Sequence, residues 1–243
     1  MKIKYYGVRG SIPVAGKDMI KYGGNTTCIV CEEGDTKIVL DAGTGIRNFA
    51  RDLLKEKQKS NKIYILFSHY HWDHIQGFPF FIQAYMKDVE INLYGETKYE
   101  MSVRDVLKKQ QQFINFPVEL SGMAAKLNFF EIKENDEINI GPFKIFPLRV
   151  NHPGGNLAYK ITTKSKVFVF ATDIEHYSVP DNKLIEFSKN ADILMYDAQF
   201  TPEEYPKYIG WGHSTYEEGI KAVSYTHLRA HETSLHLVCR LLL

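Results

Sequence analysis

The chain has 243 residues, 44% of them hydrophobic and 24% charged, and its 30 lysine and arginine residues nearly balance 29 aspartate and glutamate residues. This composition is typical of a water-soluble globular protein with one sizeable core, and the balanced charge excludes a general attraction to nucleic acid or anionic membranes. No apolar run approaches the ~18 residues of a membrane helix, and the opening MKIKYYG resembles a strand more than a signal peptide. We therefore expect a cytoplasmic protein with no membrane partner.

The first half of the chain predicts short strands and amphipathic helices. Apolar residues recur every three to four positions from about Gly45 to Lys57, which predicts a helix with Thr44 as its N-cap. The stretch Lys62–Phe67 is almost continuously apolar, as in a strand buried on both faces. The other elements predicted here are strands at Lys2–Tyr6, Thr26–Cys31, Thr36–Asp41 and Val89–Tyr94, and helices at Phe78–Met86 and about Glu96–Gln111.

The second half repeats this alternation of strands with helices. Predicted strands lie at Lys126–Ile132, Asp136–Ile140, Phe143–Val150, Leu157–Thr163, Lys166–Ala171 and Ile193–Tyr196, and a helix lies near Asp181–Lys189. Two such halves favour an α/β fold with two sheets packed together and helices outside. No low-complexity linker divides the halves, so we predict one domain.

The last residues differ from the rest of the chain. From Ser224 onward the sequence lacks a clean apolar stripe and a helix cap, and it resembles a translated sequencing adapter of the kind found at the ends of metagenomic gene fragments. A genuine C-terminal helix is the alternative. We interpret residues 224–243 as a non-native tail and residues 1–223 as a domain truncated at its C-terminus. Without the tail, 28 basic side chains balance 28 acidic ones.

A cluster of histidines follows the buried strand Lys62–Phe67. Residues 69–74 read His-Tyr-His-Trp-Asp-His. In extended chain, positions i and i+2 project to the same side, so His69 and His71 can bind one ion while Asp73 and His74 bind a second. Imidazole and carboxylate ligands suit zinc, and also manganese or iron. A surface loop with three chance histidines is the weaker alternative.

The HxHxDH pattern after a buried strand resembles the signature of metallo-β-lactamase-fold hydrolases, over about residues 1–222. Five further segments resemble the branch of that superfamily that includes ribonuclease Z-like and cyclic-nucleotide phosphodiesterase-like proteins: Gly7–Pro13, Tyr22–Cys28, Leu40–Arg47, Phe116–Leu120 and Gly210–Thr215. This resemblance implies a four-layer αβ/βα sandwich with a two-metal site at one edge of the sheets.

The resemblance also implies ligands elsewhere in the chain. His152 follows the strand Phe143–Val150, and the family pattern makes it a ligand of the first metal. Asp173 ends an apolar strand, and the pattern makes it the carboxylate that bridges both metals. Without the family pattern, His152 would be interpreted as a surface or core histidine and Asp173 as a turn cap. The implied first-metal ligands are His69, His71, His152 and Asp173, and those of the second metal are Asp73, His74 and Asp173.

His213 precedes a predicted helix in which Ser214 and Glu217 have the spacing of a capping box. An incidental histidine at a helix start is therefore one interpretation. In the ribonuclease Z-like branch the matching histidine donates a proton or contacts phosphate and is not a metal ligand. We assign Asp73 and His213 as the catalytic residues.

Other polar residues near these motifs receive supporting roles. We expect Asp41 to organise the loop beneath the metals through hydrogen bonds. Glu175 and His176 either do the same or face solvent. Cys28 and Cys31 form a C-x-x-C, but a strand directs them to opposite faces, so we predict neither a zinc knuckle nor a redox pair.

The types of metal ligand at two positions restrict the reactions that the site can catalyse. His71 stands where di-iron flavoprotein relatives have glutamate, which argues against a redox role. Asp173 stands where zinc β-lactamases have cysteine, which argues against antibiotic hydrolysis. The sequence thus favours a phosphodiesterase with two divalent ions, zinc first and Mn²⁺ or Fe²⁺ as alternatives, in which hydroxide held between the metals attacks phosphorus and His213 protonates the leaving alkoxide.

A small cyclic nucleotide or a short oligonucleotide is the expected substrate, because the balanced charge offers no separate basic arm for long nucleic acid. Three alternatives stay open: a thioester or lactone hydrolase of the glyoxalase type, a ribonuclease Z-like nuclease, and a non-catalytic metal-dependent sensor. The sequence leaves the oligomeric state open, a dimer included.

Overall fold

The structure, a computed structural model of the chain, describes residues 1–56, 61–177 and 181–226. The chain divides into two compact units, Met1–Lys133 and Glu134–Leu243. Within the described residues, no helix is both long enough and apolar enough to cross a membrane.

The first unit is built on a six-stranded sheet whose strands lie side by side in chain order. They are β1 (Lys2–Gly7), β2 (Cys28–Glu33), β3 (Thr36–Leu40), β4 (Lys62–Leu66), β5 (Glu90–Gly95) and β6 (Lys126–Glu131). The pairs β1/β2 and β2/β3 are antiparallel, and β3 to β6 are mutually parallel. Because parallel strands end at the same edge, the residues that follow β3 and β4 are neighbours.

Three α-helices accompany this sheet: α1 (Ile46–Lys55), α2 (Trp72–Ile75) and α3 (Val103–Gln110). The apolar stripe of α1 is buried in the core of the unit, and its members are Ile46, Phe49, Ala50 and Leu53. The predicted cap of α1 is wrong. Gly45 occupies the N-cap position without a side-chain bond, and Thr44 Oγ1 instead accepts a hydrogen bond from Thr26 N at 2.9 Å.

Two other helix predictions in this unit need correction. The predicted helix at Phe78–Met86 is a pair of short 3₁₀ turns, Phe78–Phe80 and Ile82–Tyr85, because Phe81 between them has an extended backbone. The helix predicted from Glu96 begins only at Val103. Ser102 and Asp105 form a capping box there, which fixes the start of α3.

The second unit contains a five-stranded sheet in the order β11-β10-β9-β8-β7. Its strands are β7 (Ile138–Ile140), β8 (Phe143–Val150), β9 (Asn156–Thr162), β10 (Val167–Ala171) and β11 (Ile193–Tyr196), with helices α4 (Asn182–Ser188) and α5 (Tyr216–Thr226). Only β10 and β11 are parallel. Their carboxyl ends therefore meet at one edge of the sheet.

The interpretation of residues 224–243 as a non-native tail, and of residues 1–223 as the native domain, stays a prediction. Helix α5 includes the first three residues of the tail and ends at Thr226. Residues 227–243, with His227, His231, His236 and Cys239, lie outside the described residues.

Candidate metal centre

The HxHxDH motif lies where the buried strand β4 ends and α2 begins. His71 precedes α2, and Asp73 and His74 lie on its first turn. The ring centroid of His69 is 4.5 Å from that of His71 and 4.2 Å from that of His74. His69, Asp73 and His74 are buried, whereas His71 is exposed. The structure thus brings the four motif residues of the first unit together.

Asp41 holds the deepest of these histidines. It follows β3, is fully buried, and its Oδ2 lies 2.7 Å from His74 Nδ1. Ser68 binds both carboxylate oxygens, through its amide to Oδ1 and through its hydroxyl to Oδ2, each at 2.7 Å. Burial raises the pKa of Asp41, and the attraction of His74 opposes that rise. The hydrogen bonds predicted for Asp41 are present, and they fix the orientation of the His74 ring through its Nδ1.

Asp73 is positioned by a segment that sequence reasoning did not connect with it. The backbone amide of Ser11 donates to Asp73 Oδ2 at 2.8 Å across 62 positions of sequence. Ser11 has a positive φ of 63°, a backbone conformation that is uncommon for residues other than glycine. Ser11 lies in the Gly7–Pro13 segment, and the resemblance of that segment to the ribonuclease Z-like branch is the sequence feature that pointed to a role for it. The same carboxylate oxygen lies 3.3 Å from His74 Nε2.

In the second unit, His152 lies in the turn after β8 and Asp173 directly follows Thr172 at the end of β10. His152 Nδ1 forms a 2.7 Å hydrogen bond with the carbonyl oxygen of Gly212, and its Nε2 is 3.9 Å from Asp173 Oδ2. Thr172 Oγ1 donates to Asp173 Oδ1 at 2.7 Å. Burial lowers the pKa of His152, against the opposing attraction of Asp173. This histidine is therefore favoured as a neutral, ligand-competent imidazole.

His213 is held by Asp197, a residue that the sequence analysis missed. Its Nδ1 lies 2.8 Å from Asp197 Oδ2, and the ligand atoms of Asp173, Asp197 and His213 all lie within 4.8 Å of one another. The same Asp197 oxygen accepts the amide of Ile174 at 3.0 Å. The missed signal is the position of Asp197 after the apolar strand β11, which matches that of Asp173 after β10.

The residues around His213 differ from their predicted roles. Helix α5 begins at Tyr216, and Thr215 Oγ1 accepts the amide of Glu218 at 3.4 Å, so the predicted pairing of Ser214 with Glu217 in a capping box is wrong. Ser214 Oγ instead bonds His176 Nδ1 at 2.8 Å.

Glu175 is also engaged and does not face solvent. It is fully buried and accepts hydrogen bonds from the Tyr205 hydroxyl and from the amides of Gly210 at 3.2 Å and Gly212 at 2.6 Å. Both residues of the 175–176 pair therefore support the loop that leads to His213.

The chemistry of these donors fits divalent metal ions. His74 and His152, two of the assigned ligands, each have Nδ1 bonded to a protein oxygen, so Nε2 is the ring nitrogen directed away from that oxygen, and His213 is oriented by Asp197 in the same way. This pattern of a histidine oriented by a carboxylate or carbonyl is characteristic of metal-ligating imidazoles. Buried carboxylates, Asp73 in the first unit and Asp173 in the second, add oxygen donors of the kind that zinc, manganese and iron accept.

Comparison with known proteins shows which family the chain belongs to. The chain is 22% identical over 198 residues to the ribonuclease Z of Picrophilus torridus, a match that covers 79% of this chain and 57% of that protein. The chain thus spans less than two thirds of that curated relative.

Solved structures share the fold. The metallo-β-lactamase fold protein YhfI from Bacillus subtilis superimposes with a TM-score of 0.69 at 20% identity, covering 93% of this chain and 81% of its own. The short form of human tRNase Z also gives a TM-score of 0.69, at 16% identity, covering 94% of this chain and 90% of its own. The two TM-scores of 0.69 show a common fold and confirm the predicted α/β fold class. Since the sequence model of the β-lactamase superfamily domain matches residues 36–233, the chain belongs to that superfamily and has the metallo-β-lactamase fold.

Proposed function

We propose that the protein is a dinuclear metal-dependent hydrolase that cleaves small phosphodiesters, a cyclic nucleotide or a short oligonucleotide. The observation that carries this proposal is the set of three histidines, His74, His152 and His213, that protein oxygens fix at Nδ1. Such orientation is of use where Nε2 must meet an ion or a substrate. The family membership supports a hydrolytic use of the site.

The ligand assignment follows the family pattern. We assign His69, His71, His152 and Asp173 to a first ion and Asp73, His74 and Asp173 to a second, with zinc as the expected metal and manganese or iron(II) as alternatives. When bound, divalent ions polarise the phosphoryl oxygens and lower the pKa of the attacking water.

The chain's own residues orient this ligand set. Asp41 holds the ring of His74 by its Nδ1, so that Nε2 is the atom that would bind an ion. The Ser11 amide and the Thr172 hydroxyl each occupy one carboxylate oxygen, of Asp73 and Asp173 respectively. Ligands held in this way need little rearrangement when an ion or substrate binds.

His213 is proposed to protonate the leaving alkoxide. Its Nδ1 is bonded to Asp197, so the transferable proton resides on Nε2. The carboxylate stabilises the protonated ring before transfer and fixes its orientation, which is how a buried acid commonly supports a catalytic histidine.

A phosphodiester is preferred to a thioester or lactone because three segments match the ribonuclease Z-like branch, Gly7–Pro13, Tyr22–Cys28 and Gly210–Thr215. One of them supplies the amide that binds Asp73, and another carries His213. The similarity of the chain to the ribonuclease Z of Picrophilus torridus also favours a phosphodiester substrate. A small substrate is favoured over a long RNA because residues 1–223 carry 28 basic and 28 acidic side chains.

We also propose that the protein resides in the cytoplasm. Cys28 and Cys31 are both free thiols, and free cysteines are common in proteins of reducing compartments.

The test is a substrate panel on purified protein whose metal content has been measured. It contains bis-p-nitrophenyl phosphate, cyclic nucleotides, short RNA, transfer RNA precursors, thioesters and lactones. We expect turnover of the phosphodiesters, its loss on chelation and its return on adding one divalent metal. Faster hydrolysis of a thioester or lactone than of every phosphodiester would reject the proposal, and a strong preference for the transfer RNA precursors would reject a small substrate.

A further inference from the structure

Trp211 is a large aromatic side chain presented to solvent beside the candidate proton donor. It is 65% exposed and lies two positions before His213. An indole left this open forgoes the favourable free energy of burying its ring. The hydrogen bonds of its loop and the ring contacts of its side chain indicate whether this exposure has a role.

The loop that carries Trp211 is fixed on both sides of the residue. Glu175 Oε2 accepts the amides of Gly210 and Gly212, at 3.2 and 2.6 Å. The amide of Trp211 donates to the Tyr208 carbonyl oxygen at 3.1 Å. Because the carboxylate that binds the two flanking glycines is fully buried, these bonds are sheltered from water. The indole is thus held on a rigid backbone.

Glycine is required at both flanking positions. Gly210 and Gly212 have φ of 91° and 89°, values that other residues rarely adopt. A Cβ at position 212 would also lie 2.4 Å from His152 Nδ1 and 2.3 Å from Pro153 Cδ. The turn that the two glycines allow brings Gly212 against His152, with Trp211 between the two glycines.

A row of aromatic rings connects Trp211 with His213. The indole meets Tyr208 edge to face at 5.3 Å, and Tyr208 stacks on Phe200 at 4.6 Å. Phe200 in turn meets the His213 ring edge to face at 6.0 Å. These contacts position Trp211, and the residue stays 65% exposed.

We propose that Trp211 is a stacking subsite for a flat aromatic group of the substrate, namely the base of a nucleotide whose phosphodiester is cleaved. This inference rests on the proposed function and extends it to the substrate class. A rigid exposed indole loses little conformational entropy on binding, and every nucleobase offers a face on which it can stack. We therefore expect the substrate to require a nucleobase, with no strong preference for one base over another.

The direct test uses the fluorescence of Trp211. The chain has two tryptophans, so the metal-loaded Trp72→Phe variant reports on Trp211 alone. Adenosine 5′-monophosphate should quench this fluorescence saturably, and it should bind roughly 5- to 100-fold more tightly than ribose 5-phosphate. Absence of saturable quenching, or equal affinity for the two ligands, would overturn the stacking subsite. A Trp211→Phe control, which retains Trp72, should lose the signal.

A kinetic test uses two substrates with the same leaving group, the p-nitrophenyl ester of thymidine 5′-monophosphate and methyl p-nitrophenyl phosphate. Trp211→Ala should raise KM for the nucleoside ester roughly 5- to 100-fold, and Trp211→Phe should restore most of the loss. KM for the methyl ester should stay within about twofold, since it offers no base to stack. An equal effect on both esters would show a general structural role and reject the proposal.

The two proposals fail in different ways. If the protein hydrolyses phosphodiesters but Trp211 is not quenched, only the stacking subsite is wrong. If thioesters are the true substrates, the phosphodiesterase proposal is wrong, and the fluorescence titration still decides whether Trp211 binds a base.

Discussion

Asp197 Oδ2 and His213 Nδ1 are joined at 2.8 Å, and the same oxygen accepts the amide of Ile174 at 3.0 Å. The carboxylate is therefore anchored to the backbone after β10 while it orients a ring on the loop before α5. Its other oxygen accepts the amide of Gln199 at 2.9 Å. A carboxylate with this many fixed donors holds the histidine in one orientation and one tautomer.

Replacing this carboxylate tests its influence on the ring. Asp197→Asn should lower turnover of a phosphodiester with an alkoxide leaving group roughly 10- to 100-fold, since the amide supports the protonated imidazole poorly. Steady-state kinetics of both proteins measure the loss. Asp192→Asn, which alters a carboxylate bonded to Lys166 in the same unit, is the matched control and should retain normal turnover.

His213→Ala should retain the metal content of the wild-type protein and lose roughly 10²–10⁴-fold in turnover on substrates with a poor leaving group, the usual size of a general-acid contribution. On p-nitrophenyl esters the loss should shrink, because p-nitrophenolate leaves without a proton. Metal analysis, together with kinetics on the two substrate types, shows whether His213 is a proton donor or a metal ligand. Loss of an ion would make His213 a ligand, as its nearness to Asp173 and Asp197 allows.

Asp73→Ala and His74→Ala should each lower the metal content by about one ion per chain and remove most hydrolysis, since both side chains are assigned to the second ion. Elemental analysis of dialysed protein gives the stoichiometry. Asp192→Ala is the control, because Asp192 bonds Lys166 and is not assigned as a ligand. Unchanged stoichiometry in both ligand variants would contradict the assignment.

Glu175→Gln should weaken metal binding through His152 without touching a proposed ligand. The glutamine amide has one acceptor oxygen in place of two, so it cannot accept both from the Tyr205 hydroxyl and from the Gly212 amide as the carboxylate does, and Gly212 O is the acceptor that orients His152. We expect a roughly 10- to 100-fold loss of affinity for one ion, the usual effect of residues that orient ligands. Titration with a competing chelator measures it. The exposed Glu203→Gln control should bind metal normally.

Phe49→Ala should lower the free energy of unfolding by about 3–5 kcal/mol, because it leaves a cavity in the core of the first unit. Phe49 is 1% exposed and its ring lies 5.5 Å from Tyr6 and 6.1 Å from Phe81. Urea titration followed by circular dichroism measures the change. Phe80→Ala removes a ring that is 61% exposed and should change stability by less than about 1 kcal/mol.

Elements with strong periodicity are those that the sequence predicted well. The apolar stripe of α1 and the continuous run of β4 match the structure within two residues at each end. The segment Phe78–Tyr85 is equally apolar but forms two 3₁₀ turns, because packing around an extended Phe81 overrides the helical pattern. The local pattern thus identified the buried Phe78 and Phe81, but neither the exposure of Phe80 and Ile82 nor the backbone conformation.

The candidate site was predictable where its residues are adjacent in sequence. His69, His71, Asp73 and His74 stand out as a motif, and the strand end before them explains their proximity. Asp197 and Glu175 carry no such motif, since each is a single acid whose partners come from distant loops. Their importance depends on which amides and rings the fold brings near, and spacing alone does not contain that information.

The crowding around Gly212 has a consequence for any library of random variants of this protein. Position 212 contributes no side chain to catalysis, yet every replacement adds an atom that collides with His152 and Pro153 and forces φ into a disfavoured region. In a selection for activity, the tolerance profile of position 212 should therefore resemble that of a ligand histidine, with no accepted substitution. Trp211 beside it should accept other aromatic residues, so two adjacent positions of one loop would show opposite mutational constraints.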